Sequence, residues 1–117
     1  PGREGTLDLK KRGARIFVDA ARVFALAYGS RATGTADRMR HAGEAIKADS
    51  RHVEATIEAF QYVQVLRLRA QEHPHPTNPN RIDPNSLNEV DQRMLKVAFR
   101  QARKVQQRLK ETFSFAL

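Results

Sequence analysis

The sequence predicts an all-α protein, an antiparallel up-down bundle of four main helices. Three observations lead there. Apolar residues recur at three- and four-residue steps through four segments. No stretch shows the strict apolar–polar alternation of a half-buried strand. All five prolines fall outside the periodic segments, where a missing N–H does no harm.

Taken in order, residues 1–12 (PGREGTLDLKKR) hold two glycines and no sustained period, and form a lead-in. The first helix begins near Gly13, with Ile16, Ala20, Val23 and Ala27 as its stripe and Phe17 and Phe24 flanking it. Gly29 ends it, since glycine accepts the left-handed conformation that closes a helix. Thr35 is placed as the N-cap of a shorter helix whose apolar side is Ala36, Met39 and Ala42. Gly43 weakens that segment by about 1 kcal/mol relative to alanine. Asp49-Ser50 caps a long third helix to about Glu72, striped by Val53, Ile57, Phe60, Val63, Leu66 and Ala70. Residues 73–84 (HPHPTNPNRIDP) carry four prolines and form a loop. Asn88 with Asp91 suggests the cap of the last helix, which carries Met94, Ala98, Ala102, Val105 and Leu109 to about Phe113.

Length and composition bound the function. A chain of 117 residues with 40% apolar and 29% charged residues makes one domain, read as residues 1–117 of a longer protein because it opens at Pro1. Cysteine is absent, which removes disulfides, thiolate metal sites and cysteine nucleophiles. A net charge of +8 favours anionic partners. No apolar run nears the roughly 20 residues of a membrane span.

Gln64, Arg67 and Gln71 project within or beside the apolar stripe of the third helix. One reading is an anion-facing pocket in which Arg67 forks onto phosphate or carboxylate. The other is a drifted stripe that leaves these groups at a rim or pairs them internally. Asp8-Leu9-Lys10-Lys11-Arg12 places cations beside a helix start, where an anion could sit. Arg93, Lys96, Arg100, Arg103, Lys104 and Lys110 form a basic face on the last helix. That face suits a solvated surface, an acidic neighbour or nucleic-acid phosphates, though no aromatics interleave with it. His41, His52, His73 and His75 lack ligand spacing, so no metal site is expected. No phosphate-cradling glycine loop, metalloprotease motif or nucleophile elbow occurs.

Several ordered segments carry a family resemblance: Thr6-Leu7-Asp8-Leu9-Lys10, Ala21-Arg22-Val23-Phe24-Ala25-Leu26, Thr35-x-x-Arg38, Ala59-Phe60, Leu66-Arg67-Leu68-Arg69-x-Gln71, Ile82-Asp83-Pro84-x-x-Leu87 and Asp91-x-Arg93-x-Leu95-Lys96. Over roughly residues 6–110 the chain resembles the nucleotidyltransferase substrate-binding domain, the helical C-terminal module of bacterial proteins with a catalytic domain like that of the PII-protein uridylyltransferase. The resemblance implies a helical bundle that completes the cleft of an upstream transferase domain in a cytoplasmic signal-transduction protein. CBS domains, often with a cyclic-nucleotide-binding domain, would precede that transferase. Mg and a nucleoside triphosphate would belong to it, so this chain would hold no catalytic residues and no cofactor. Lys10, Arg22, Arg38, Arg67, Arg69, Gln71 and Arg93 match the family pattern and are the candidate substrate-binding residues. Two departures are Ala70, where a histidine often stands, and the proline-rich stretch His73–Pro79 in place of a more acidic linker. A purely structural docking or dimerisation bundle is the alternative function, and a basic nucleic-acid binder the third.

Overall fold

A computed structural model describes residues 5–72, 76 and 78–113. His73 and His75 therefore lie outside the described residues. Four main helices pack together: α1 (Arg15–Ala27), α2 (Thr35–Ala45), α3 (Ser50–Ala70) and α4 (Glu89–Phe113). One turn of wider π-type helix, Lys10–Ala14, leads into α1. Two short strands, β1 (Leu7–Asp8) and β2 (Arg81–Ile82), pair antiparallel with Leu7 opposite Ile82. Strands this short show no alternation, so the sequence offered no sign of them.

The local chemistry explains the helix ends. Gly29 stands at φ +66°, immediately after Tyr28 closes α1. Asp49 caps α3 by accepting the Arg51 N–H at 2.8 Å, and Asn88 Oδ1 accepts the Asp91 N–H at 2.8 Å at the head of α4. The cap of α2 is Gly34, in extended backbone, and not Thr35, which is already helical.

The core runs through the middle of the bundle. Leu9, Phe17, Ile57, Val63 and Leu66 are fully buried, and Phe17 meets Phe60 edge-on with ring centroids 5.8 Å apart. Leu9 thus anchors the lead-in to the core. A smaller cluster of Ala20, Phe24 and Ala42 is closed by Val105, Leu109 and Phe113. On α1 the buried side is Phe17, Ala20, Ala21, Phe24 and Ala25, while Val23 is 39% exposed. The stripe is therefore rotated toward the two phenylalanines, because the larger side chains bury more apolar area. On α4, Leu95 and Phe99 enter the core and Met94 stays 43% exposed.

Thr56 on α3 reaches Gln101 on α4, and Tyr62 further along reaches Asp91 earlier on α4, so these two helices run antiparallel. Gly43 lets α2 approach α3: a Cβ there would stand 2.6 Å from Val53 Cγ2. The glycine that weakens the helix locally is what permits the close contact.

Candidate functional site

Arg67 belongs to a polar knot that ties the chain's first strand to its proline-rich return. Asp8, only 6% exposed, accepts the Lys10 and Lys11 N–H groups at 3.0 Å each on Oδ1. Its Oδ2 accepts the Asn78 amide at 3.0 Å. Burial opposes ionisation of Asp8, but the bonds from Lys11, Asn78 and Lys10 outweigh it and hold the carboxyl below its usual range. The backbone donors that an external anion would use at this helix start are thus already taken by Asp8. The Asn80 carbonyl accepts the Leu9 N–H at 2.9 Å. Arg67 donates from Nε to Asn80 Oδ1 at 3.2 Å and from Nη1 to Gln64 Oε1 at 2.8 Å. Arg67 and Gln64 are half-buried and paired internally, while Gln71, the residue closing α3, is exposed.

Arg69 and Arg93 also have partners within the chain. Arg69 Nη1 lies 3.0 Å from Asp91 Oδ2, and Arg93 Nη2 lies 2.9 Å from Glu89 Oε1. The Tyr62 hydroxyl donates to Asp91 Oδ1 at 2.8 Å. Burial, then the bond to Asp91, raises the tyrosine pKa well above its ordinary value, so it stays a donor. Sequence reasoning missed Tyr62, since an aromatic on a striped helix looks like core.

Arg22 and Arg38 come together. They share a shallow concavity of about 260 Å³ with Ala25, Leu26 and Ser30, between α1 and the entry to α2. Arg38 Nε donates to the Ala32 carbonyl at 2.9 Å, which orients the guanidinium; among the described residues its terminal nitrogens have no partner. Ser30 Oγ accepts the Ala32 N–H at 3.2 Å and stands 2.8 Å from His41 Nδ1. Among the described residues, Arg22 has no hydrogen-bond or ion-pair partner. Lys10 is exposed and lies beyond the other end of α1, beside Asp8. The seven candidates therefore divide between two regions.

A larger groove of about 300 Å³ opens where all four helices meet, with Phe24, Met39, Ala42 and Gly43 in its lining and Lys104 and Arg108 beside them. Sequence reasoning missed this groove too. Its trace was the alanines Ala20, Ala21 and Ala42 of α1 and α2, whose small size leaves room. Among the described residues no three metal-ligating side chains cluster, and no helix is long and apolar enough to cross a membrane.

A helical bundle that offers oriented cations and an open groove is the frame of a binding domain. Residues 2–113 match the family described as "Putative nucleotidyltransferase substrate binding domain", and the chain belongs to that family. No curated protein and no solved structure matches it.

Proposed function

We propose that the chain is the substrate-positioning module of a bacterial, cytoplasmic signal-transduction protein. In this reading it holds the anionic part of a nucleotide or acceptor in the Arg22–Arg38 cleft for a nucleotidyltransferase domain upstream in the same protein, which CBS domains would regulate. The family supports a substrate-binding role beside such a transferase. The convergence of Arg22 and Arg38 on one concavity carries the finer reading. Arginine suits phosphate because its planar fork donates two parallel, charge-assisted bonds. Arg67 and Arg69 would first have to leave Asn80, Gln64 and Asp91. In this reading Mg and the nucleoside triphosphate would belong to the transferase domain.

Hydrogen bonds to charged groups contribute about 1.5–3 kcal/mol each, and exposure weakens them. Two such contacts correspond to affinities on the order of millimolar. Weak binding alone suits a module whose ligand is shared with a catalytic neighbour. Titrating the chain with ATP while following amide chemical shifts tests this. Saturable shifts at Arg22, Ser30 and Arg38 that vanish in Arg22→Glu and Arg38→Glu are expected. Absence of shifts there at about 10 mM nucleotide, well above a millimolar Kd, would refute it.

A second reading, a docking bundle with no ligand, draws on exposed apolar side chains. Val65 and Leu68 on α3, and Val90, Met94 and Val97 on α4, are all exposed. They flank the positions where Tyr62 and Arg69 meet Asp91. Five such residues in one helix pair suit contact with a neighbouring domain.

A further inference from the structure

We infer that the groove between the four helices is a second ligand site, separate from the Arg22–Arg38 cleft. Its ligand is a small amphipathic anion: one ring-sized apolar body carrying a single phosphate or carboxylate. Nothing in this inference depends on what the arginine cleft binds.

Protein interiors pack closely, so a hollow of about 300 Å³ needs a cause. Here it is the small residues Ala20, Ala21 and Ala42 of α1 and α2. Gly43 cannot grow, because its Cβ would collide with Val53. The apolar floor is completed by Phe24 and Met39. A cavity of about 150 Å³ can hold benzene, and small-molecule sites begin near 300 Å³. The groove therefore fits one ring with one charged group attached.

The charge is set by the α4 edge. Gln101, Lys104 and Arg108 follow one another at three- and four-residue spacing and so share a side of the helix. The Thr56 hydroxyl lies 3.3 Å from Gln101 Oε1, which leaves the Gln101 amide N–H₂ without a partner among the described residues. Lys104 and Arg108 likewise pair with no carboxylate there. Asp49, also in the lining, accepts the Arg51 N–H at 2.8 Å and meets Arg51 Nη2 at 3.3 Å with its carboxylate. The negative group is thus occupied, and the unspent donors and cations lie along one edge. An apolar floor beside an unpaired cationic edge is complementary to a ligand with the same two halves.

The test titrates the chain with phenyl phosphate and with benzoate, and with the separated halves, benzyl alcohol and inorganic phosphate, while following amide and methyl signals. Either ring-bearing anion should move Met39, Ala42, Thr56 and Gln101 saturably, and the tighter of the two identifies the acid group. Each half should bind at least about tenfold more weakly, a loss of one or more 1.4 kcal/mol steps. The double charge reversal Lys104→Glu with Arg108→Glu, at exposed positions that spare the core, should weaken binding by about tenfold or more. Ala48→Phe, which plugs the edge of the groove, should remove it, while Arg22→Glu should leave it unchanged. No saturable shift with either anion, or shifts indifferent to both the charge reversal and the plug, would overturn the inference. Shifts confined to Arg22 and Arg38 would overturn it and leave the arginine cleft standing; shifts confined to the groove would support it and leave the cleft to be judged by the ATP titration.

Discussion

Asp8 shows how one side chain can settle the use of a helix start. Its carboxylate takes two backbone N–H groups and one amide, so Asp8→Ala should cost about 1–3 kcal/mol by leaving those part-buried donors unpaired. The pH dependence follows from the sign of the shift. The folded pKa lies below the unfolded value of about 3.9, so the unfolded chain binds more protons in the window between them. Asp8 therefore stabilises the fold above about pH 4, and that contribution disappears as pH falls through the folded pKa. Urea unfolding from pH 6 downward should show the gap between wild type and Asp8→Ala closing only in acid. A gap independent of pH would mean the carboxylate is not the stabilising form.

At the scale of elements, α2 meets α3 tightly at Gly43. Gly43→Ala should improve helix propensity by about 1 kcal/mol, yet overpacking against Val53 should cost about 1–3 kcal/mol. The net loss should be recovered by Val53→Ala in the same chain, as a thermal-melt double-mutant cycle would reveal. Arg67 acts between elements as well, pinning residue 80 of the return segment onto α3. Arg67→Ala should lower stability by about 1–2 kcal/mol and leave the ATP-induced shifts at Arg22 and Arg38 unaltered. Loss of those shifts with unchanged stability would return Arg67 to the binding residues.

For the whole molecule, the charge balance sets the response to salt. The net charge is +8, and the basic side chains Arg93, Lys96, Arg100, Arg103, Lys104 and Lys110 of α4 are all exposed. The ion pairs, such as Arg40 with Glu54 at 3.0 Å, lie at the surface, where such pairs contribute little. Raising salt from about 20 to 300 mM shortens the screening length from some 20 Å to under 6 Å. Self-repulsion should then fall by more than the ion pairs lose, and the melting temperature should rise. A falling melting temperature would show that the pairs outweigh the repulsion. At 25 residues, α4 is about 37 Å long at 1.5 Å per residue, close to the 42 Å long axis of the molecule. Its basic residues, from Arg93 to Lys110, span about 26 Å of that helix.

What the sequence determined by itself was local and periodic. Stripes such as Ile57–Val63–Leu66 and the caps at Asp49 and Asn88 depend on residues within a few turns of one another, so four helices and most of their limits could be read directly. The ordered segments carrying Arg22 and Arg38 identified the family without any coordinates. Only the tertiary structure decided which polar groups meet. Asp8 and Asn78 are 70 positions apart, and neither their bond nor the Arg67–Asn80 contact leaves a periodic trace. The groove was equally invisible, because alanines on two helices describe a hollow only once the helices have been set against each other. Helical periodicity reports which side of a segment avoids water; which partner covers that side, and what is left uncovered, is a property of three-dimensional packing.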